Sequence, residues 1–325
     1  MKLLLLVALL GAATAFVERN EWNNFKATHG KSYRNVIEEL HRMQVYADNK
    51  AFVTRHNAEF AAGRQTFTVA LNRFADLTEE EMNQLYKGGA GQSSRPHGVH
   101  RPSGRQAPLS IDWRDQGVVS DVKDQGPCGS CWSFAATGAL ESAWALAGNG
   151  LQALSEQQLM DCSGSFYNYG CSGGMAYKAY SYLESSGGIM SEEAYPYTAR
   201  DGSSCHADAS QFVASITSHV NVPSHGSATI LRDAVADVGP VAVSIDASQR
   251  SFNLYSSGVY DEPYCSSSSH NHAVLVVGYG TESGKDYWLV KNSWGPEWGE
   301  SGYIKMTRDS SNQCAIASIP VYPVV

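Results

Sequence analysis

Glu38, Arg42, Tyr46, Asn49, Val53 and Asn57 recur at spacings of 4, 4, 3, 4 and 4, which places them on one face of a helix. The predicted helix runs from Val36 to Ala62, with Gly63 positioned to end it; by pattern alone the stripe is a packing face. Upstream, Trp22 and Phe25 share one face of a shorter helix that Gly30 stops. Residues 66 to 71 read as a short strand, followed by Asn72-Arg73-Phe74-Ala75-Asp76 and a capped helix from Thr78. Residues 131 to 147 are apolar on most faces, the pattern of a buried helix. Ser155-Glu156-Gln157-Gln158 reads as a capping box opening a second buried helix, and residues 175 to 185 form a third. From Val241 onward the period changes to that of strands: 241 to 245, 273 to 279, 287 to 291 and 303 to 306, separated by glycines. Helices first and strands later predict an α+β protein of two subdomains, with a ligand cleft between them.

The ends and joints of the chain read differently. Lys2, the apolar run Leu3 to Leu10 and Ala13-Thr14-Ala15 have the form of a secretory signal peptide cut after Ala15. No later run is long and apolar enough to predict a membrane span. Between 88 and 106, ten of 19 residues are Gly, Pro or Ser, the composition of an exposed linker open to proteolysis. Residues 1 to 106 carry 14 basic and 10 acidic side chains, net +4, whereas 107 to 325 carry 10 and 22, net −12. The two parts should attract each other, and the acidic one is a poor partner for nucleic acid.

Behind a signal peptide, cysteines pair. The seven cysteines lie at 128, 131, 162, 171, 205, 265 and 314, so six can pair, in any of fifteen ways, and one stays free. In Gln125-Gly126-Pro127-Cys128-Gly129-Ser130-Cys131-Trp132, Cys131 opens the buried helix, where the helix dipole favours thiolate. A zinc site is disfavoured because no second CxxC or HxxxH stands at suitable spacing, and no cofactor is expected. A thiol–disulfide oxidoreductase would need both cysteines of the CxxC free, which the odd count does not allow. His272 lies 141 residues beyond Cys131, with Asn292 a further 20 on in Lys291-Asn292-Ser293-Trp294-Gly295. Cysteine, histidine and asparagine in that order and at those distances fit a thiolate nucleophile, its base and a group that orients the base.

These strings resemble the papain family of cysteine peptidases, in its cathepsin L-like branch, over essentially the whole chain. The 38–57 stripe resembles that branch's ERFNIN propeptide signature, with Tyr46 for Phe and Val53 for Ile. Residues 72 to 76 resemble its GNFD motif, with Ala70 where glycine is usual. Leu154-Ser155-Glu156-Gln157 and Gly170-Cys171-Ser172-Gly173-Gly174 are further matching strings. The resemblance implies a papain-like fold: a helical subdomain, a β-barrel-like subdomain and a cleft, preceded by a mainly helical propeptide. It implies a signal peptide at 1–15, an inhibitory propeptide at 16–106 and a peptidase domain at 107–325. It further implies Cys131 as nucleophile, His272 as base, Asn292 orienting the imidazole under the shield of Trp294, which also counts among the substrate-binding residues, and Gln125 as oxyanion donor. Gly173 and Gly174 would pair with substrate backbone, and Met175, Ala176, Ser244, Ala273 and Ile319 would line the pocket for the second residue before the scissile bond. Disulfides Cys128–Cys171, Cys162–Cys205 and Cys265–Cys314 also follow from the resemblance alone.

The expected activity is that of an endopeptidase, since no segment resembles the occluding loop of cathepsin B-type exopeptidases; its partners would be protein and peptide substrates and its own propeptide, on a monomer with no membrane partner. The alternative from another class is a silent, protease-shaped binding protein, against which the retained Cys131 speaks. His270 is read as loop surface, and His206, His219 and His225 as solvent-facing. Asn271 stands where the family more often has aspartate. No Asn-x-Ser/Thr sequon occurs, so secretion and lysosomal or endosomal delivery are both compatible with the sequence.

Overall fold

The computed structural model describes residues 18–88, 98–202 and 204–325; the expected signal peptide and residues 89–97 of the expected linker lie outside them. The N-terminal unit has helices α1 Arg19–Thr28, α2 Val36–Ala61 and α3 Glu79–Leu85, with strand β1 Phe67–Val69 between the last two. Asn35 caps α2 through its side chain, and Thr78 with Glu81 forms a complete capping box on α3. Where α1 meets α2, Trp22 stacks on Phe25 and the Tyr46 ring lies edge-on to Trp22 and tilted against Phe25.

The 38–57 stripe is more than a packing face. Arg42 donates to the Asp76 carbonyl at 3.2 Å and reaches Glu81 at 2.6 Å. Asn49 donates to the Ala75 carbonyl at 2.8 Å. The Asn57 amide completes the backbone pairing of Val69 at 2.9 and 3.0 Å. Helix α2 is thus a rail that holds β1 and residues 72–77 through side-chain amides, and polar residues on a helix face suit that use.

Beyond the linker come β2 Ile111–Asp112, α4 Cys131–Trp144, α5 Glu156–Cys162, α6 Ala176–Ser186, β3 Ile189–Met190, β4 Phe212–Ala214, β5 Ser218–Asn221 and α7 Ala228–Val238. There follow β6 Val241–Ile245, α8 Arg250–Asn253, β7 Tyr255–Tyr260, β8 His272–Glu282, β9 Lys285–Lys291, β10 Tyr303–Thr307 and β11 Val321–Val324. The large sheet runs β1-β7-β10-β9-β8-β6-β11-β5, with β2 beside β8. The N-terminal unit therefore adds an edge strand to the sheet of the C-terminal part, Phe67 opposite Gly258. Two hydrophobic clusters result. One joins the sheet to Trp22, Phe25, Phe67 and Phe74 of the N-terminal unit; the other packs α4, α5 and α6 together.

Helix α4 is buried along nearly its whole length and rests on β8. Gly138 permits the contact: a Cβ there would stand 3.0 Å from the Leu275 side chain. After Trp144 the helix loosens into a five-residue π segment, short of the regular helix expected to 147. Ser155 caps α5, but Gln158 does not return the bond; its amide bridges Met190 N, Tyr182 and Gly188 instead. The predicted capping box is only half formed, because the buried Gln158 has closer partners in neighbouring segments.

Three further expectations are corrected. His219 is buried, with Nδ1 at 2.7 Å from Glu184, because β5 lies between α6 and β11. His270 is only half exposed, and both ring nitrogens are enclosed. The described part of the linker is not free chain. Val99 bridges to Asn221, His100 is buried against Tyr322, and Ser103 donates twice to Asp237. His206 and His225 are exposed as expected.

Close packing at Gly138 sets a prediction. Gly138→Leu should destabilise the protein by about 1–3 kcal/mol through overpacking. Gly138→Ala should change stability by less than about 1 kcal/mol, since alanine's helix propensity offsets a clash that a flexible leucine can relieve. Urea unfolding midpoints of the two variants measure the difference; equal losses would contradict the close α4–β8 contact.

Candidate active site

Helix α4 begins at Cys131 after Ser130, whose side chain makes no cap bond, so the first N–H groups remain turned toward the thiol side. Strand β8 begins at His272, opposite Ile245 in the antiparallel pair with β6. Both residues are fully buried. They meet at the junction of the two hydrophobic clusters, which no local sequence pattern states.

His272 Nε2 lies 2.8 Å from Asn292 Oδ1. The Trp294 ring packs on the imidazole, with centroids 4.9 Å apart, and Phe252 lies edge-on to both rings, 6.2 Å from the imidazole and 5.5 Å from Trp294. Cys131 Sγ accepts from the Ala273 main-chain N–H at 3.4 Å. His272 Nδ1 has no hydrogen-bond partner among the described residues, so no thiol–imidazole hydrogen bond is made in this state. Gln125 is positioned by Ser293, whose hydroxyl donates to Oε1 at 2.6 Å and whose carbonyl accepts from Gln125 N at 2.8 Å. That leaves Nε2 turned toward the cleft.

The cleft is filled by the end of the N-terminal unit. Gln125 Nε2 donates to the Tyr86 carbonyl at 2.8 Å and to the Cys128 carbonyl at 2.7 Å. Gly88 packs so tightly on Gly129 that a Cβ there would collide with the Gly129 carbonyl oxygen, and the Gly173 Cα would lie 3.1 Å away. Between them Lys87 is buried, with Nζ 3.0 Å from both Asn83 Oδ1 and Asn253 Oδ1. Phe74 and Tyr86 pack edge-on against Trp294.

Electrostatics follow from this cover. Burial pushes the Cys131 thiol up, against the N–H groups of Ala273, Gly88 and Trp132. Burial pushes His272 down to about 3, with the Lys87 ammonium adding to the effect and Asn292 opposing it. The pair is therefore held as neutral thiol and neutral imidazole, whereas catalysis by a thiolate needs the reverse.

The other expected site residues lie as follows. Met175 is the N-cap of α6, Ser244 pairs with Ala273 across β6 and β8, and half-buried Ile319 packs on the cluster that contains Met175, Ala176 and Ala273. Gly173 and Gly174 lie between this cluster and Gly88. The three disulfides are Cys128–Cys171, Cys162–Cys205 and Cys265–Cys314, and Cys131 is the free cysteine. Sequence reasoning missed Asn253, Tyr86 and Lys87; no spacing marks residues whose role depends on which strands flank them.

A helix-borne thiol beside an asparagine-held imidazole, under a segment of the same chain, defines a thiol peptidase kept latent by its own prosegment. Residues 107–324 match the model of the papain family cysteine protease, and residues 22–82 that of the cathepsin propeptide inhibitor domain. The chain belongs to the papain family and is a cathepsin L-like cysteine endopeptidase in precursor form. It is 45% identical to digestive cysteine proteinase 2 of Homarus americanus, with 98% of each chain covered. It is also 45% identical to procathepsin L of Rattus norvegicus, over 99% of this chain and 98% of that one. Among solved structures, digestive procathepsin L2 proteinase from the larval midgut of Tenebrio molitor superposes with a TM-score of 0.88 at 42% identity, covering 94% of this chain and 99% of the other.

The shifted groups set the sign of a pH response. An imidazole held below its ordinary 6.5 destabilises the state that buries it as pH falls from 6.5, and for His272 the penalty grows until about 3. His29, His56 and His100, all lowered first by burial, act in the same direction. Lys87, lowered to about 7 from 10.5, imposes its penalty between those values, so it is already complete at pH 7. Asp124 is pushed up by burial but held below its ordinary value by Arg73, so that cross-interface pair is lost only at still lower pH. The covered state should thus weaken between pH 6.5 and 4.5. Conversion of precursor to shorter enzyme, followed on denaturing gels, should be faster at pH 4.5 than at 7.5; equal rates would contradict the sign.

Proposed function

We propose that Cys131 attacks the scissile carbonyl, that His272 takes the thiol proton and returns it to the leaving amine, and that Asn292 holds the ring for both tasks. The geometry that carries this reading is the buried His272–Asn292 bond at 2.8 Å, facing the helix that begins at Cys131. Gln125 Nε2 supplies one oxyanion donor; in the precursor the Tyr86 carbonyl takes that donor. Residues 1–15 act as signal peptide, 16–106 as prosegment and 107–325 as peptidase. Removing the prosegment lifts the burial that keeps Cys131 and His272 neutral, and the thiolate–imidazolium pair can then form. The lobster and Tenebrio relatives are named as digestive enzymes, which favours secretion into a digestive compartment over lysosomal delivery.

The reading carries two tests. Cys131→Ser and His272→Ala should each give a folded precursor without measurable peptidase activity after the prosegment is removed in trans, while His270→Ala keeps most of it. Loss in His270→Ala with activity retained in His272→Ala would reverse the assignment of the base.

Specificity is the second. Met175, Ala176, Ala273 and Ile319 give the pocket an apolar lining with Ser244 as its polar member, so each buried CH₂ contributes about 0.8 kcal/mol. Ile319 has no carboxylate to pair with a guanidinium and shortens the floor. Fluorogenic peptides differing only at the second residue before the scissile bond should rank Leu or Val above Phe, and Arg last, in kcat/KM. Arg equal to Leu would contradict the apolar pocket; Phe above Leu would remove the steric role of Ile319.

A further inference from the structure

Lys87 is an unusual side chain for a prosegment to bury against the peptidase. Its ammonium is buried, yet no carboxylate touches it. Its contacts are two amide oxygens at 3.0 Å and the Trp294 ring, whose centroid is 6.0 Å from Nζ. Asn83 belongs to the prosegment and departs with it. Asn253 and Trp294 belong to the peptidase and stay. The Asn253 main chain keeps one anchor within the peptidase when the prosegment leaves, because its carbonyl accepts from Trp298 at 3.2 Å, while the bond from Asn72 is lost with the prosegment. With Lys87 gone, the Asn253 side-chain oxygen is free to accept from another donor that enters the cleft.

The place of this pocket along the cleft follows from its neighbours. Gly88 lies on Gly129 and Gly173, the glycine edge assigned to residues before the scissile bond. Lys87 lies away from that edge, against Trp294 and Asn253. That is the side on which the leaving amine departs. Asn271 closes the same pocket, its Nδ2 donating to Asn83 Oδ1 at 3.4 Å while its Oδ1 accepts from Ala247 N at 2.9 Å.

We propose that Asn253 and the face of Trp294 form a leaving-group-side subsite for a lysine side chain, occupied by Lys87 in the precursor and by a substrate lysine in the mature enzyme. The proposal rests on the Cys131–His272 reading of the active site. An amide oxygen accepts from an ammonium, and an indole face attracts a cation. Burial is the largest influence on Lys87, lowering it to about 7, while Asp246 and the prosegment's Glu79 pull the other way. In the open cleft the covering chain is gone and Asp246 remains, held by Ser248 and Ser266 at 2.6–3.0 Å. A substrate lysine thus meets the attraction without most of the desolvation. The imidazolium nearby is matched by its thiolate, so the catalytic pair adds little net repulsion.

The test uses mature enzyme and internally quenched peptides that differ only in Lys, norleucine or Glu at the first or second residue after the scissile bond. Norleucine keeps the alkyl chain and removes the charge; mass spectrometry confirms that one bond is cut in all. At pH 5.5, kcat/KM for Lys should exceed norleucine about fivefold at one of the two positions, with Glu lowest. Asn253→Leu should bring the Lys-to-norleucine ratio to about one, and Asn271→Asp should raise it by placing a carboxylate in the pocket. A ratio of one or less at both positions in the unmodified enzyme overturns the subsite, whether or not either variant folds. Absence of cleavage in every peptide overturns the Cys131–His272 reading instead.

Discussion

The contact on which the rest depends is the packing of α4 against β8. One element carries the thiol and the other the imidazole, and neither can be placed without the other. Gly138 lets helix and strand approach to within reach of Leu275, and burial of α4 on nearly all sides removes any freedom to rotate. Around that seam lie two hydrophobic clusters, one centred on the sheet and the other joining helices α4, α5 and α6 to strand residues such as Leu275 and Val277. Cys131 and His272 lie where they meet. Asn292 and Gln125 are brought in by segments crossing the same seam: the Ser293 hydroxyl on Gln125 and the main-chain pairing of Asp124 with Trp294 tie them together.

Latency is a consequence of dielectric as much as of steric cover. The Tyr86 carbonyl takes the Gln125 donor, and Gly88 lies against Gly129, so substrate has no room. The same cover removes water from Cys131 and His272, and burial then favours the uncharged form of each. The prosegment is itself held by strand addition at β1 and by the amide rail of α2 rather than by net charge. Arg73 pairs with Asp124 as the charge difference between the two parts would suggest, but Glu79 pairs with Arg250 in the opposite sense at 3.2 Å. Partly exposed pairs of this kind contribute little, and most of the hold comes from buried apolar and main-chain contacts.

Much of the candidate site was legible in the sequence. Cysteine parity isolated one thiol, and the CGSCW string at a helix start marked Cys131 as that thiol. The order and spacing of His272 and Asn292 completed the set, and the resemblance supplied the disulfide pairing found here. Periodicity placed α2, α4, α6 and the central strands to within a few residues. It did less well where pattern and environment part company. His219 looked like a surface histidine because its neighbours are polar, yet β5 is paired on one side and lies against α6 on the other. Residues 98–106 looked like free linker, yet Val99 and Ser103 bind the peptidase surface.

What the sequence by itself determined is the set of local commitments: which segments are helix or strand, where they are capped, which thiol is unpaired, and which residue types stand ready for catalysis. These depend on neighbours within a turn or two of chain, or on counting. Tertiary structure alone decided the state of those residues. Whether His272 is charged, whether Cys131 bonds to it, what Gln125 donates to and where Lys87 lodges depend on groups distant in sequence, such as Lys87 for His272, Tyr86 for Gln125 and Asn253 for Lys87. Burial and charge are properties of the surroundings, and only the closed fold assembles them.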